Sequence, residues 1–154
     1  MVAIFDLDGT LTKKDTYIPF LGLCVRELGL RNLSALTLPF YTLLYFSKII
    51  NNHQLKEYFL GKILAGVSLK ELEPVSDKFV SNLLETGLNE SVFSLLKAHI
   101  EQGNSVILAT ASFDFYVLKL AQKLRVTNIV CTQASNSRSL GNYLKVLEKL
   151  KMLS

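Results

Sequence analysis

Short apolar runs alternate with longer amphipathic segments along this 154-residue chain. Three runs are only four or five residues long and contain β-branched residues, namely Val2–Phe5, Ser105–Ala109 and Asn128–Cys131. Continuous apolar runs of this length, ended by polar or turn-forming residues, are typical of buried parallel strands. The sequence therefore predicts three such strands.

Helical spacing of apolar residues fills the segments between these strands. A helix is predicted from about Asn89 to Gln102, with Gly103 in the left-handed conformation that often follows a helix. The next helix is expected to begin at Ser112 as its N-cap, and a last helix covers Leu144–Leu153. The pattern between residues 16 and 85 is also helical, with breaks expected near Gly29, Pro39, Asn51, Gly66 and Pro74.

This order of elements predicts an α/β fold with a parallel sheet and right-handed crossovers. We expect residues 1–15 and 86–154 to form the α/β core and residues 16–85 to form a helical insert. Ligands of such sheets bind beyond the carboxyl ends of the strands. Asp6 and Thr110 each follow a predicted strand, so both are expected to face one crevice.

Composition narrows the classes of partner. Apolar residues make up 49% of the chain and charged residues 19%, which is typical of an ordered globular domain. The net charge of +4 favours anionic partners such as phosphates or lipid head groups, but the basic residues are scattered, so no nucleic acid is expected to bind.

Cys24 and Cys131 show neither metal-ligand spacing nor a disulfide framework, so a reducing cytoplasm is expected. Asp6 and Asp8 interrupt the N-terminal apolar run too early for a signal peptide.

Two carboxylates, Asp6 and Asp8, follow the first strand. Because side chains alternate along a strand, both project to the same side. Carboxylates this close stay ionised together only when a cation neutralises them, and Mg²⁺ is the natural cation for oxygen ligands. Gly9 allows a tight turn whose N–H groups face an anion. One carboxylate can then form an aspartyl-phosphate while the other acts as general acid and base. The alternative interpretation is an ordinary Asp-Gly turn.

The stretch Phe5–Thr12 resembles the first motif of the haloacid dehalogenase-like superfamily, in its phosphatase branch. The resemblance implies a Mg²⁺-dependent phosphomonoester hydrolase with Asp6 as nucleophile and Asp8 as general acid/base. It also implies that Asp6 and Asp8 hold the metal, Asp8 through its backbone carbonyl. Gly9 and Thr10 are then expected to bind the substrate phosphate.

Two further motifs of this superfamily have counterparts here. Val106–Ser112 resembles the second motif, which implies that the Thr110 hydroxyl binds the transferring phosphoryl group, beside Ala111 and Ser112. Lys145 resembles the lysine of the third motif, although one extra residue separates it from the preceding glycine. Arg138, Lys149 and Lys151 remain alternatives to Lys145.

The helical insert resembles the cap of subclass IB, which includes phosphoserine phosphatase-like enzymes. Thr12–Pro19 looks most like the bacterial phosphatidylglycerophosphatase-like members. Two classes of phosphomonoester substrate therefore stay open. One is a lipid phosphate such as phosphatidylglycerophosphate, and the other is a small soluble compound such as phosphoserine.

The stretch Leu33–Ile50 is apolar apart from Lys48 and a few hydroxyl residues. Its length approaches that of a membrane span. Three interpretations compete: a buried cap helix, a helix lying in the membrane interface, and a true span. The second predicts a cytoplasmic protein in contact with the inner face of the membrane through residues 33–50.

The superfamily pattern continues after the third motif with another strand and an acidic fourth motif, which this sequence lacks. The resemblance therefore implies a Rossmann-like core whose parallel sheet and metal site are incomplete. Val2–Phe5 would then form an exposed edge that a second chain could complete. Three functions remain open: an active phosphatase, an inactive remnant that binds phosphate, and a membrane-associating or interaction module.

Overall fold

The computed structural model describes residues 1–29, 36–64 and 66–133. Lys145, its alternatives and the predicted helix Leu144–Leu153 lie outside these residues. The described strands are β1 (Val2–Asp6), β2 (Ser105–Phe113) and β3 (Asn128–Thr132). The described helices are α1 (Tyr17–Leu28), α2 (Leu38–Phe46), α3 (Asn52–Ile63), α4 (Leu69–Asn82), α5 (Glu90–Glu101) and α6 (Asp114–Leu124).

The three strands form a parallel sheet in the order β1-β2-β3. The connection from β1 to β2 contains the insert and then α5, and α6 connects β2 to β3. The predicted α/β class is therefore confirmed. In the register of β1 and β2, Asp6 lies opposite Ala109, so the carboxyl ends of these strands meet at one edge.

Strand β1 differs from the buried strand that the apolar run predicts. Phe5 is buried, but Val2 and Ile4 are 62% and 61% exposed. Side chains alternate between the two faces of a strand, and only the face of Phe5 packs into the core. Within the described residues, β1 pairs only with β2 and so forms an edge of the sheet.

Helices α1 and α4 of the insert pack against α6 of the core through aromatic rings. The ring of Phe20 lies 5.3 Å from that of Phe79 and 4.7 Å from that of Tyr116, measured between centroids. Phe79 and Tyr116 meet edge to face at 5.1 Å. Aromatic pairs in these geometries add to the free energy of burial, so this cluster joins the insert to the core.

The expected break at Pro74 is wrong, because Pro74 lies inside α4. A proline removes one backbone hydrogen bond and costs about 3 kcal/mol in a helix interior. Two features offset that cost. A reciprocal capping box between Ser68 and Glu71 starts the helix. Its apolar face is buried in the core, including Leu72 and Phe79.

The expected N-cap at Ser112 is also wrong. Strand β2 continues to Phe113 after a register irregularity between Ala109 and Phe113, and α6 begins only at Asp114. The Ser112 hydroxyl donates instead to the carboxylate of Asp8, 2.5 Å away. A hydrogen bond to a charged acceptor is stronger than a bond to a backbone group, so the distant partner is preferred.

The apolar stretch of the insert forms α2, and no residue of this helix is buried. The interpretation of Leu33–Ile50 as a buried cap helix is therefore wrong for its described helix, Leu38–Phe46. Among the described residues, no helix combines the length and the hydropathy that crossing a bilayer requires. Residues 33–35 of the stretch lie outside the described part of the chain.

Cys24 in α1 is buried as expected, with 1% of its surface exposed, and this burial raises the pKa of its thiol to about 12. Its ordinary pKa is 9.0, so between about pH 9 and 12 the thiol loses its proton only in the unfolded chain. The contribution of the protonated Cys24 thiol to the free energy of unfolding is therefore complete below pH 9. Between pH 9 and 12 the free energy of unfolding falls by up to about 1.4 kcal/mol per pH unit. Urea unfolding across this range should show that the free energy of unfolding falls more steeply with pH for the natural chain than for Cys24→Ala. Equal slopes of the free energy of unfolding against pH for the two proteins would contradict this prediction.

Candidate active site

A turn, Leu7–Leu11, follows β1 and carries Asp8, Gly9 and Thr10 of the predicted site. Leu7 and Leu11 are fully buried and anchor the turn in the core. Asp8 has extended backbone angles, and Gly9 has a φ of 72°. Because a φ in this range is unfavourable for residues with a Cβ, the structure confirms the tight turn expected at Gly9. The Thr12 backbone N–H closes the turn on the carbonyl of Leu7 at 2.9 Å.

Asp6 ends β1 with its side chain exposed to solvent. The Thr10 hydroxyl donates to its Oδ2 at 3.0 Å, which fixes the orientation of the carboxylate. The register of the sheet places Ala109 opposite Asp6, so Thr110 is the next residue of the neighbouring strand. Asp6 thus combines a fixed orientation with access from solvent.

The carboxylate of Asp8 accepts hydrogen bonds on both oxygens. Its Oδ1 accepts from the backbone N–H and the hydroxyl of Thr16, at 2.8 and 2.6 Å. Its Oδ2 accepts from the Ser112 hydroxyl at 2.5 Å and more weakly from the Thr110 hydroxyl at 3.5 Å. These bonds connect the turn after β1 with the start of α1 and the end of β2. Asp8 is therefore held in a single orientation.

Behind Asp8 lies a buried chain of hydroxyl groups. The Tyr116 hydroxyl is 2.8 Å from that of Thr16, and both residues are buried. Burial raises the pKa of the Tyr116 phenol above its ordinary value of 10.0, although its hydrogen bonds with Ser112 and Thr16 oppose the shift. The phenol thus keeps its proton at neutral pH. Since the Thr16 hydroxyl donates to Asp8, the Tyr116 hydroxyl must donate to Thr16.

Asp15 connects the start of α1 to helix α3 of the insert. Its Oδ1 accepts from the backbone N–H of Tyr17 at 2.8 Å, and its Oδ2 lies 3.6 Å from Nζ of Lys56. The Lys56 ammonium also lies 5.1 Å from the centroid of the Tyr17 ring. The Tyr17 hydroxyl donates to the backbone carbonyl of Lys56. The Lys56 ammonium of the insert is thus paired with the residue that directly precedes Thr16.

The structure brings most of the predicted site residues to one edge of the sheet. Asp6 ends β1, and Asp8 and Thr10 lie in the turn that follows it. Thr110, Ala111 and Ser112 lie at the end of β2. Thr110 is buried, and its hydroxyl also accepts from the backbone N–H of Ser112 at 3.0 Å. Ala111 is exposed beside it.

Sequence reasoning missed Tyr116 and Lys56. Tyr116 lies four residues after Ser112 but contacts Thr16, a hundred residues earlier in the chain. Lys56 meets Asp15 only because α3 folds back over the start of α1. No local pattern signals either contact, because both depend on the tertiary fold.

Removal of the Tyr116 hydroxyl tests this hydroxyl chain. The Tyr116→Phe variant should lose about 1 kcal/mol in its free energy of unfolding, because the Thr16 hydroxyl loses a buried hydrogen bond. Urea unfolding followed by circular dichroism measures this loss. Tyr58 is partly exposed and stacks on Tyr41, so Tyr58→Phe is the matched control and should change stability by less than about 0.5 kcal/mol. Equal losses in both variants would contradict the role of the Tyr116 hydroxyl.

Solved structures with the same fold include a protein with unknown function from Bordetella pertussis Tohama I, 23% identical, with a TM-score of 0.67. The match covers 86% of this chain and 60% of the Bordetella pertussis protein. A phosphoserine phosphohydrolase-like protein from Francisella tularensis is 19% identical, with a TM-score of 0.59, and the match covers 100% of this chain and 74% of that one.

A phospho-aspartyl intermediate analogue of phosphoserine phosphatase is also 19% identical, with a TM-score of 0.51 and coverage of 84% of this chain and 55% of that one. These likenesses show a shared fold. A search among curated proteins found no significant match. The model of the family described as haloacid dehalogenase-like hydrolase matches residues 3–149, which is nearly the whole chain. The chain therefore belongs to the haloacid dehalogenase-like hydrolase family.

Proposed function

We propose that this chain is a Mg²⁺-dependent phosphomonoester hydrolase that works through an aspartyl-phosphate on Asp6. The observation that carries the proposal is the contrast between two neighbouring carboxylates. Asp6 is exposed and oriented by one hydrogen bond, whereas Asp8 is held by Thr16 and Ser112. One group is accessible for attack on a substrate, and the other is fixed for proton transfer.

In the first step, an oxygen of Asp6 attacks the phosphorus atom and the bond from phosphorus to the leaving oxygen breaks. Thr10 already holds Oδ2 of Asp6, which leaves Oδ1 as the attacking atom. Asp8 gives its proton to the leaving oxygen, so the alcohol departs neutral. In the second step, Asp8 takes a proton from water, whose oxygen attacks the phosphorus and releases phosphate and free Asp6.

The hydroxyl partners of Asp8 suit a group that gains and loses a proton. The hydroxyls of Thr16 and Ser112 can donate to an ionised carboxylate, and either can rotate to accept from a protonated one. Its orientation is thereby kept in both states. We therefore assign the general acid/base role to Asp8.

The phosphoryl group would be bound at the carboxyl end of β1 and β2. The turn at Gly9 and Thr10 would supply backbone N–H groups toward an anion, and the end of β2 would supply that of Ala111. The backbone N–H of Ser112 already donates to the Thr110 hydroxyl. Thr110 contributes a hydroxyl at the same edge. A lysine that neutralises phosphoryl charge, proposed as Lys145, belongs to the part of the chain outside the described residues.

The donor set fits Mg²⁺ only in part. The carboxylate of Asp6 and the backbone carbonyl of Asp8 are hard oxygen ligands. The side chain of Asp8 is occupied by hydrogen bonds, so it is not a ligand. Within the described residues, no group of three or more Asp, Glu, His or Cys side chains could hold a metal ion. When bound, Mg²⁺ would neutralise the charge of the phosphate and of Asp6.

We propose that residues 16–85 act as a helical cap over this site, with residues 1–15 and 86–154 as the core. The pair of Lys56 and Asp15 supports this division, because it links a residue of the insert to the residue that precedes Thr16, a hydrogen-bond partner of Asp8. Substrate selection would then depend on the insert. Both a lipid phosphate such as phosphatidylglycerophosphate and a small phosphomonoester such as phosphoserine fit the proposed chemistry.

The test of this function is release of phosphate from p-nitrophenyl phosphate by the chain and its Asp6→Asn variant, with MgCl₂ or with EDTA. Release that needs magnesium and Asp6 supports the proposal. A chain that binds phosphate but releases none contradicts it and favours an inactive phosphate-binding protein.

A further inference from the structure

Helix α2 and its two ends present a large apolar surface, here called the α2 surface. Its members are Leu36, Phe40, Leu43, Phe46 and Ile49, each between 59% and 74% exposed. Phe40, Leu43 and Phe46 follow each other at intervals of three and so lie on one side of the helix. Contiguous exposed apolar surfaces of this kind mark interaction sites.

The other side of α2 packs partly against α3. The ring of Tyr41 stacks on that of Tyr58 in α3, with centroids 4.1 Å apart. Leu38 and Leu44 are partly buried. The exposure of Phe40, Leu43 and Phe46 therefore belongs to a helix that α3 supports, and it is not the result of a detached segment.

The α2 surface carries the positive charge of Lys48, whereas Lys56 of α3 is paired with Asp15. From Leu36 to Lys56 the sequence contains no Asp or Glu, and its two charged residues are Lys48 and Lys56. Lys48 is exposed next to Phe46. A groove of about 680 Å³ adjoins them, lined by Tyr45, Phe46, Ile49 and Ile50 on its apolar side and by Lys48, Asn51 and Gln54 on its polar side.

We propose that the α2 surface docks on an anionic phospholipid bilayer, with α2 lying in the plane of the interface. Its nine residues are about 14 Å long, too short to cross the hydrocarbon core. Phe40, Leu43 and Phe46 would enter the boundary between head groups and acyl chains, and Lys48 would meet lipid phosphates. Tyr45, with its polar tip, suits the head-group level.

A second copy of this chain fits the α2 surface less well than a bilayer does. A two-fold interface on the α2 surface would place Lys48 of both copies at or beside the interface. No acidic residue of the segment is available to neutralise them. An anionic bilayer supplies negative charge for Lys48 and an apolar phase for its neighbours.

The docking would also bring the candidate active site near the bilayer. Helix α3 contacts α2 through Tyr58 and contacts Asp15 through Lys56. Asp15 precedes Thr16, whose hydroxyl donates to Asp8, so a short series of contacts links the α2 surface to Asp8. A phosphate carried on a lipid head group is the substrate class that this arrangement favours. That consequence rests on the proposed function, whereas the docking itself does not.

Fluorescence of a single tryptophan tests the docking directly, because the chain has no Trp. The Phe46→Trp variant is titrated with vesicles of phosphatidylcholine containing phosphatidylglycerol. Its emission should shift to the blue as the indole enters an apolar environment. Leu95 in α5 is 53% exposed, so Leu95→Trp is the matched control and should not shift. Equal shifts in both variants, or none in Phe46→Trp, would overturn the proposal.

Vesicle flotation provides a second measurement on the full chain. Binding of Phe40→Ser/Phe46→Ser should be weaker than that of the natural chain by about tenfold or more, since two large apolar side chains are lost. Lys48→Glu should weaken binding by about tenfold as well, and only to vesicles with phosphatidylglycerol. Both substitutions are at exposed positions, so circular dichroism should show folded variants.

The natural chain staying in the aqueous fraction would overturn the docking. A dimer in sedimentation velocity that Phe40→Ser/Phe46→Ser abolishes, without vesicle binding, would overturn it in favour of a second copy. Release of phosphate from p-nitrophenyl phosphate should be the same for this double variant and the natural chain. Loss of docking can therefore be told apart from failure of the proposed hydrolase function.

Discussion

The Asp6→Asn variant is expected to lose release of phosphate from p-nitrophenyl phosphate by at least about 10³-fold relative to the natural chain. The carboxamide cannot supply the anionic oxygen that forms the bond to phosphorus. It is nearly the same size, and its oxygen can still accept the hydrogen bond from Thr10. Because Asp6 is exposed, the fold should be retained. Initial rates with saturating MgCl₂ measure the effect.

Asp77→Asn is the matched control for loss of a carboxylate. Asp77 lies on α4, where its exposed side chain pairs with Lys119 at 2.6 Å. An exposed ion pair contributes little to stability, so this variant should keep the rate of the natural chain. If Asp6→Asn releases phosphate as fast as Asp77→Asn does, Asp6 is not the nucleophile.

The Asp8→Asn variant is expected to separate substrates by their leaving groups. An alkyl phosphate such as phosphoserine needs a proton on its leaving oxygen, so its first step should slow by about 10² to 10⁴-fold. The p-nitrophenolate ion leaves readily without a proton. The second step also loses its base, so phosphate should accumulate on Asp6 when p-nitrophenyl phosphate is supplied. Intact-protein mass spectrometry detects this adduct.

The geometry of the Asp8→Asn variant should survive. The amide oxygen can take the place of Oδ1 and accept from Thr16, while the amide nitrogen faces the Ser112 hydroxyl, which can rotate to accept. Equal slowing for phosphoserine and p-nitrophenyl phosphate, with no adduct on Asp6, would rule out the acid/base role. Comparison with Asp77→Asn controls for a general loss of charge.

The features that could be predicted from the sequence are those that depend on neighbouring residues. The strand at Val2–Phe5, the turn at Gly9 and the helix end at Gly103 follow from local apolar runs and from the freedom of glycine. The structure confirms each position, with φ values of 72° at Gly9 and 71° at Gly103. The position of Asp6 and Thr110 at the same edge of the sheet likewise follows from the parallel order of the strands.

The features that could not be predicted depend on residues far apart in the chain. The helix through Pro74 persists because its face is buried, which no local pattern shows. Ser112 has the local properties of a helix cap, yet its hydroxyl reaches Asp8, more than a hundred residues away. The same applies to Tyr116 and Thr16. The apolar segment around α2 indicated burial as readily as exposure, and only the packing on α3 distinguishes them.

The aromatic cluster of Phe20, Phe79 and Tyr116 has a consequence for how the molecule unfolds. It joins residues nearly a hundred positions apart. The Tyr116 hydroxyl is also hydrogen-bonded to Thr16, whose own hydroxyl donates to Asp8. Opening the insert therefore requires breaking the contacts that position the carboxylate of Asp8. Amide hydrogens of α1 and α6 should then exchange through the same cooperative opening, and the site should disappear in one step with the core.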